Sequence, residues 1–390
     1  MTETIRQLCR AYMDDAVALR RDLHAHPEIG MDCPASADRI CAILDAAGIP
    51  YRKAGTSAVI AEIRGTKAES DKIVMMRADT DALPVEEKTG LPFASEVPGF
   101  MHACGHDLHS AMLVQAARIL QDMRSAFAGT VRLLFQPGEE ISAGAEYMIE
   151  QGAMDGVSMG FGIHVDPLLP SGILAWKKGP DWAAVDHFWI TVKGTGAHGA
   201  QPQNGCDALV AAASVALNMQ TAVSRECDPM HPLVITIGKL NAGTAYNIIA
   251  SEAVLEGTCR SFDKDVYDLI PDALNRISAQ TAAAFRCTAE VRLDRLAPPV
   301  FNDETACDIL DQAVRKVLDP AMLTEAKQEM IGEDFAWFGH HAPCVFAHLG
   351  ADAGYPLHSA KINFDESCME TGILAEVSFA LEALQHLNEN

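Results

Sequence analysis

The chain has 390 residues, 49% of them hydrophobic and 21% charged, and its 53 acidic and 30 basic residues give a net charge of −23. This composition predicts two or three folded domains with a large core and argues against a disordered chain. The acidic balance argues against nucleic acid or an anionic membrane surface as a partner, because both require a positively charged face.

Neither a membrane span nor a signal peptide is expected. The longest apolar run, 208–219, is shorter than the ~18–20 residues that a span needs and favours a buried helix. The N-terminal residues are polar, and no apolar segment follows a basic start. The 11 cysteines are scattered singly, which favours reduced thiols and predicts a cytoplasmic location.

The first 180 residues alternate between helical and strand patterns. Apolar residues near helical spacing predict a helix over about 3–23, and a second helix is expected from Pro34 to Gly48. Strand patterns follow at 58–63, 72–78, 131–136 and 160–165, with helices expected at 107–125 and 143–151. This alternation predicts an α/β fold with a mainly parallel sheet and helices on both of its faces.

The pattern changes near Asp186, where apolar residues alternate along a strand through Phe188, Ile190 and Val192. The elements that follow are a helix at 207–222, strands at 233–240 and 253–261, a helix at 263–285 and a strand at 288–293. The order βαββαβ is that of a ferredoxin-like unit. The sequence therefore predicts an α/β domain built from 1–183 and 297–390, with a ferredoxin-like domain inserted at 184–296.

The densest group of reactive side chains is His102-Ala-Cys104-Gly-His106-Asp107-Leu-His109. These eight residues hold five groups that can bind metal or carry protons, including three of the 14 histidines in the chain. Imidazole and thiolate suit ions such as Zn, Co, Ni and Mn. The alternative interpretation is a polar loop that caps a helix and contains its histidines by coincidence.

A pair of carboxylates, Glu139-Glu140, follows the strand predicted at 131–136. The carboxyl ends of parallel strands are where open α/β sheets place their sites, so one carboxylate could bind metal while its neighbour transfers protons. A solvated charge pair after the Pro137-Gly138 turn is the alternative in so acidic a chain.

Other candidate side chains also end predicted strands. Asp79 and Asp81 close the strand at 72–78, and His164 closes the one at 160–165. A single histidine at a strand end is more often structural than a ligand, but the convergence of such groups at one sheet edge favours a site. The segment Gly332-Glu-Asp-Phe and His358 add another carboxylate pair and another histidine.

Three other site types lack support. Gly194-Thr-Gly196-Ala-His198-Gly199 matches a dinucleotide fingerprint, but the next residues break a helix and no acidic residue lies at the expected distance. The chain also has no Walker loop and no GxSxG motif, so phosphoryl transfer and serine hydrolysis are not indicated.

Together, six motifs resemble those of the dinuclear metallo-amidohydrolases, a family that includes hippurate hydrolase, aminoacylases and the plant auxin–amino-acid conjugate hydrolases. They begin at His24 (HAHPE), Arg77 (RADTDALP), His102 (HACGHD), Phe135 (FQPGEE), Gly196 (GAH) and Gly332 (GEDF). The resemblance covers essentially the whole chain. It implies a two-metal catalytic domain with an inserted ferredoxin-like domain that serves as a lid or for dimerisation.

The resemblance also implies roles for individual residues. Glu139 would be the general base and acid, His198 of the inserted domain would stabilise the oxyanion, and Asn247 and Arg260 would contact substrate. The implied ligands of two divalent ions per subunit (Mn, Zn, Co or Ni) are Cys104, His106, Glu140, His164 and His358.

At two places the chain resembles the hippurate-hydrolase branch rather than the wider superfamily. The wider superfamily has a His-x-Asp motif at the first strand and an Asp that bridges the two metals. This chain has Asp79-x-Asp81 and Cys104 instead, which implies that Asp79 and Asp81 lie behind the direct ligands. Another departure is Ala250, where the family often has proline.

The implied reaction is hydrolysis of an N-acyl amino acid, such as a hippurate-like, N-acetyl or aryl-acyl conjugate, to a carboxylate and a free amino acid. The implied assembly is a homodimer or a dimer-based tetramer in which His198 completes the partner's site. A dipeptidase or aminopeptidase of the same architecture, and a metal-binding scaffold without catalysis, are the alternatives.

Overall fold

The computed structural model describes residues 1–389; the last residue of the predicted segment 297–390 lies outside that range. The chain forms two compact units. Unit 1 comprises Met1–Gly179, Phe301–Lys327 and Asp334–Asn390, and unit 2 comprises Pro180–Val300 and Gln328–Glu333.

The helices and strands are numbered along the chain. The helices are α1 (Thr2–Ala25), α2 (Pro34–Ala46), α3 (His106–Asp122), α4 (Gly144–Glu150), α5 (Ala208–Thr221), α6 (Lys264–Ala284), α7 (Glu304–Val314) and α8 (Cys368–Glu389). The strands are β1 (Tyr51–Ala54), β2 (Ala58–Arg64), β3 (Ile73–Asp79), β4 (Thr130–Gln136), β5 (Val157–Asp166), β6 (Leu174–Trp176), β7 (Gly179–Pro180), β8 (Val185–Lys193), β9 (Leu233–Ala242), β10 (Glu252–Ser261), β11 (Thr288–Ala297), β12 (Phe301–Asn302), β13 (Leu323–Glu325) and β14 (Cys344–Gly350).

Unit 1 contains an eight-stranded sheet in the order β1-β2-β4-β3-β5-β14-β6-β13. Its central neighbours β4, β3, β5 and β14 are parallel, while β1, β2 and β6 pair antiparallel with their inner neighbours. Helices α1, α3 and α8 contact one another, and α3 and α8 also contact β3. The predicted α/β fold with a mainly parallel sheet is confirmed.

The central strands are buried along almost their whole length, as expected of parallel strands covered by helices. This burial explains why β3 and β4 are mainly apolar and could be located from the sequence. Short strands such as β1 and β13 carry too few residues for a periodic pattern, and the sequence did not reveal them. The helix predicted at 107–125 ends earlier, at Asp122, and Arg124–Ala126 form a 3₁₀ turn.

The parallel strands bring their carboxyl ends to one edge of the sheet. Asp79 at the end of β3 pairs with Gln136 at the end of β4, so the segment that follows Gln136 begins beside Asp79. On the other side of β3, β5 runs to Asp166 and carries His164 near its end. In unit 1 the polar residues at the strand ends therefore lie at one edge of the sheet, as predicted.

Unit 2 has the element order βαββαβ, and its four-stranded antiparallel sheet has the order β11-β8-β10-β9. Apolar residues on alternate positions of β8 are buried, including Phe188, Ile190 and Val192. Aspartates cap both helices: Asp207 accepts from the Leu209 amide of α5 at 3.0 Å, and Asp263 accepts from the Asp265 amide of α6 at 2.8 Å. In the described part of the chain, no helix is both long and apolar enough to cross a membrane.

Candidate metal centre

Side chains from several motifs meet beyond the carboxyl ends of β3, β4 and β5. The potential ligand atoms of each of three groups lie within 4.8 Å of one another. The groups are Cys104, His106 and His164; Cys104, Glu140 and His358; and His106, Glu139 and Glu140. The structure thus brings together Glu139 and the five residues to which the resemblance assigns metal.

The individual distances are those of a compact cluster. Cys104 Sγ lies 3.4 Å from His164 Nε2, and His358 Nε2 lies 3.6 Å from Glu140 Oε2. His106 Nε2 lies 3.9 Å from a carboxylate oxygen of Glu139 and 3.9 Å from one of Glu140. A thiol, three imidazoles and two carboxyl groups therefore lie in one cluster.

Backbone carbonyls orient two of the imidazoles. His106, at the first position of α3, donates from Nδ1 to the Asp81 carbonyl at 2.7 Å. His164 donates from Nδ1 to the Val165 carbonyl at 2.8 Å. Because a carbonyl oxygen only accepts, each ring carries a hydrogen on Nδ1, and Nε2 is the nitrogen that faces the cluster and could bind a metal in the place of a proton.

The turn before α3 depends on a glycine. Gly105 has φ of +91°, in the left-handed region, and a Cβ at this position would collide with Cγ2 of Val165. The His358 backbone also has a positive φ, of +65°, and its N–H donates to the Ala103 carbonyl at 2.9 Å. The segments that carry Cys104 and His358 are therefore joined directly.

Asp79, the last residue of β3, and Asp81, which follows it, contact residues of the cluster. The Asp81 carboxylate accepts the backbone N–H groups of Glu139 at 3.0 Å and of Glu140 at 3.2 Å, and so orients both glutamates. Asp79 accepts from Arg77 Nη1 at 2.7 Å and lies 3.6 Å from His106 Nε2.

A buried hydrogen-bond network explains the remaining residues of three motifs. Asp334 accepts from Arg77 Nη2 at 2.8 Å, from Gln136 Nε2 at 2.8 Å and from the Ala145 N–H at 2.9 Å. These contacts hold both ends of the turn between β4 and α4, which carries Glu139. Asp334 is thus a structural partner of the site, a role that its motif alone did not reveal.

His109 belongs to the same dense motif but is not available as a ligand. Its Nδ1 donates to Asp79 at 2.6 Å, and its Nε2 accepts the Val165 N–H at 2.9 Å. Both ring nitrogens are engaged, so the ring is neutral and fixed in one tautomer. From the sequence, His109 is one of the groups that can bind metal. Only the tertiary contacts show that it links α3 to β3 and β5 by hydrogen bonds.

The electrostatics of the cluster favour a bound cation. Burial alone would lower the pKa of His106, but Asp79, Asp81 and Glu140 outweigh it and raise that pKa to about 10. Burial, reinforced by Glu140 and Glu139, raises the pKa of the Cys104 thiol well above its usual range. Burial also raises the pKa of Glu140. This excess of buried acidic groups is what a divalent ion would neutralise.

Orphaned atoms support the same conclusion. His106 Nε2 and Glu140 Oε1 are buried and have no hydrogen-bond partner among the described residues. Buried polar atoms are normally satisfied, so atoms that face each other without partners indicate a missing group between them. The thiolate, imidazole and carboxylate donors fit divalent transition ions.

The other candidate residues lie in unit 2. His198 and Asn247 are exposed on adjacent turns, joined by the hydrogen bond from the Gly199 N–H to the Asn247 carbonyl at 2.8 Å. Nδ1 of His198 accepts the Ala200 N–H at 3.1 Å, so the neutral ring carries its hydrogen on Nε2. Arg260 donates from Nη1 to the Cys259 carbonyl at 2.9 Å and to the Thr258 hydroxyl, and is only half-buried.

Comparisons with known proteins agree with this chemistry. Residues 75–382 match the family described as Peptidase family M20/M25/M40. An N-acetyl-L-cysteine deacetylase of Bacillus subtilis is 38% identical, with 95% of this chain and 88% of the relative aligned. An IAA-amino acid hydrolase of Arabidopsis thaliana is 35% identical, over 95% of this chain and 86% of the relative. A crystal structure of a dinuclear metal-binding peptidase of the M20 family from Bacillus subtilis superposes with a TM-score of 0.86 at 34% identity, covering 96% and 99% of the two chains.

Proposed function

The chain belongs to peptidase family M20/M25/M40, and from this premise we propose that it hydrolyses the amide bond of N-acyl amino acids to a carboxylate and a free amino acid. The observation that carries the proposal is the position of Glu139, a nearly buried carboxylate beside a cluster of five metal-binding side chains. Hippurate-like, N-acetyl and aryl-acyl amino acids form the proposed substrate class.

Cys104, His106, Glu140, His164 and His358 would hold two divalent ions, with Mn, Zn, Co and Ni as candidates. Such ions polarise a carbonyl and make water a stronger acid at neutral pH. Glu139 takes a proton from the attacking water and returns it to the leaving amide nitrogen. A base in this position contributes about 10²–10⁴ in rate.

For unit 2 we propose a ferredoxin-like dimerisation or lid domain that gives a homodimer or a dimer-based tetramer. Several large apolar side chains of unit 2 are exposed, which supports an interface. They include Leu209, Val210 and Leu217 of α5, Val234 and Leu240 of β9, and Tyr246 and Ile248. Strand β9 is also an edge strand of its sheet, with one side free to pair.

Within that dimer, His198 would donate from Nε2 to the oxyanion in the partner's site, while Asn247 and Arg260 would contact substrate. All 11 cysteines are free, which supports the proposed cytoplasmic location.

The test is a substrate panel assayed with elemental analysis of the purified protein. Acetyl, benzoyl and arylacetyl amino acids are compared with free-amine dipeptides. Turnover of acylated amino acids supports the proposal. The peptidase name of the M20 crystal structure favours a dipeptidase as the second candidate, and turnover of dipeptides alone would establish it. No turnover of either class with both metals bound would identify a non-catalytic scaffold.

A further inference from the structure

A buried charged cluster lies on the carboxyl-terminal half of α1 in unit 1. It consists of Arg20, His24, Glu87, Asp107 and Glu366, and is called the α1 cluster below. The Arg20 and Asp107 side chains are 0% exposed, and that of His24 is 1% exposed. None of these side chains takes part in the chemistry proposed above, although His24 opens one of the sequence motifs.

The centre of the α1 cluster is the Asp107 carboxylate. Arg20 Nε lies 3.0 Å from this carboxylate, and His24 Nδ1 lies 2.8 Å from the same oxygen. Asp107 follows His106 directly in the first turn of α3. The two α1 side chains therefore fix the chain at the point where the Cys104–His106 turn enters the helix.

Glu87 extends the α1 cluster into the irregular segment between β3 and α3. His24 Nε2 lies 3.4 Å from the Glu87 carboxylate, which also accepts from the Ser95 N–H at 2.7 Å. The Phe93 ring of the same segment packs edge-on against His24, with ring centroids 5.6 Å apart, and lies 4.7 Å from the Arg20 guanidinium. This irregular segment is thus anchored to α1.

Glu366 extends the α1 cluster to the segment that carries His358. Its carboxylate accepts from Arg20 Nη1 at 3.1 Å and from Arg21 at 2.7 and 3.0 Å. The backbone of this segment also meets the irregular segment, where the Lys88 N–H donates to the Ala360 carbonyl at 2.7 Å. One helix therefore holds three chain segments, two of which bear candidate metal ligands.

Stability alone does not account for such a cluster. Removing a guanidinium and a carboxylate from water costs several kcal/mol, and apolar residues of similar size often serve as well or better. What the hydrogen bonds from His24 to Asp107 and from Arg20 to Glu366 supply is a fixed direction and distance. Metal binding needs fixed spacing, because ligands that must be brought together at each binding event lose affinity.

We propose that Arg20 and His24 are positioning residues of the metal centre, which hold Asp107 and Glu366 and thereby fix the spacing of Cys104, His106 and His358. The inference rests on the proposed function, because it assumes that these three residues bind metal.

The experiment measures metal binding rather than turnover. Metal-free parent, His24→Leu and His24→Asn proteins are titrated with Mn²⁺ by calorimetry, and their thermal midpoints are recorded without metal. Asparagine keeps an amide N–H near the position of Nδ1, whereas leucine keeps only bulk. We expect His24→Leu to lose about 10–100-fold in affinity, as is typical when a ligand's supporting contact is removed, and His24→Asn to recover most of it.

Arg132→Met is the matched control. Arg132 is a nearly buried arginine of β4 that pairs with Glu62 at 2.8 Å and donates to the Ala153 carbonyl, away from the carboxyl ends of the strands. This variant should lower the thermal midpoint while keeping the parent's affinity for Mn²⁺. An equal loss of affinity in the control, or an unchanged affinity in folded His24→Leu, overturns the proposal.

Arg20→Lys decides the matter if His24→Leu does not fold. Lysine keeps the positive charge but lacks the planar guanidinium whose several N–H groups can face Asp107 and Glu366 at once. We therefore expect a weaker affinity for Mn²⁺, and an unchanged affinity contradicts the proposal. Different results contradict the proposed metal centre and the proposed role of the α1 cluster. A parent protein that binds none of Mn²⁺, Zn²⁺, Co²⁺ and Ni²⁺ contradicts the proposed metal centre itself, whereas equal binding by parent and variants contradicts only the role of the α1 cluster.

Discussion

His106 and Glu140 illustrate how the buried polar residues of unit 1 depend on one another. The His106 Nδ1 and the Glu140 backbone N–H both have hydrogen-bond partners, whereas His106 Nε2 and Glu140 Oε1 have none and lie 3.9 Å apart. Asp81 accepts two backbone N–H groups from the glutamate pair and so orients the side chains proposed to bind an ion. At the scale of single residues, orientation is therefore set by partners that do no chemistry themselves.

The two adjacent glutamates are expected to respond differently to the loss of charge. Glu139→Gln preserves shape and removes the base, so kcat should fall by about 10²–10⁴ while the metal content stays that of the parent. Glu140→Gln should lose metal as well as rate, because it removes a ligand. Elemental analysis beside steady-state kinetics separates the two, and equal metal content in both variants would show that the roles are wrongly assigned.

Only one of the buried cysteines is expected to hold metal. Cys104→Ala should lower the metal content, and Cys368→Ala, at a fully buried position at the start of α8, should leave it unchanged. Dialysis against a strong chelator should abolish hydrolysis in the parent, and Mn, Zn, Co or Ni should restore part of it. Full activity in a demonstrably metal-free sample would contradict the mechanism.

At the scale of elements, the candidate site of unit 1 is built at the ends of strands and not along their middles. The strand ends and the turns after them carry Asp79, Asp81, the glutamate pair and His164, and α1 supplies buried contacts to the first turn of α3. In unit 2, a buried acid marks the start of β8. Neither Asp186 carboxylate oxygen has a hydrogen-bond partner among the described residues, although Arg295 Nε lies 3.5 Å from one of them.

This aspartate makes the stability of β8 and its neighbours depend on pH. Burial raises the pKa of Asp186 to about 6, against the partial offset of Arg295 and Arg260. Below pH ~4 the folded and unfolded chains both carry the neutral acid, and above pH ~6 both carry the carboxylate. Between these values only the unfolded chain ionises, so this group lowers the free energy of unfolding as the pH rises.

Asp186→Asn should therefore gain stability relative to the parent as the pH rises from about 4 to 6, on the order of 2 kcal/mol, and no further gain should appear above that range. Denaturant unfolding of both proteins across the range measures the difference. A constant difference at all pH values would show that the Asp186 pKa is not shifted by folding.

At the scale of the whole molecule, the proposed metal ligands and His198 belong to different units. All five proposed ligands and Glu139 belong to unit 1, and His198 belongs to unit 2. The net charge of −23 gives no general attraction for a carboxylate substrate, so binding must depend on local groups. The exposed apolar residues of α5 and β9 support the assembly of two chains.

Complementation tests whether one chain completes the site of another. His198→Ala and Glu139→Ala should each be nearly inactive alone. After unfolding and refolding of an equal mixture, about half of the dimers combine the two variants, and each such dimer has one intact site. About a quarter of all sites should then recover activity. No recovery, with mixed dimers shown to have formed, would mean that His198 serves its own chain or is not catalytic.

The sequence by itself determined much of unit 1. Mainly apolar runs located β3, β4 and β5, because strands covered on both faces bury most of their side chains. Polar residues at the ends of those runs predicted that Asp79, Glu139 and His164 would meet, because parallel strands end at a common edge. The dense motif of α3 also located Cys104 and His106 without any structure.

Only the tertiary structure decided which of these groups are free to bind an ion. His109 and His106 lie on the same helix and are chemically alike, but contacts from β3 and β5 use both nitrogens of His109 and leave one nitrogen of His106 open. The partners of Asp107 come from α1, more than 80 residues earlier, as the separation of His24 and Asp107 by 83 positions shows. Local sequence fixes the kind of side chain and its spacing along an element. A nitrogen or oxygen that is already hydrogen-bonded is not available to an ion, and its partners are settled only when distant segments of the chain pack together.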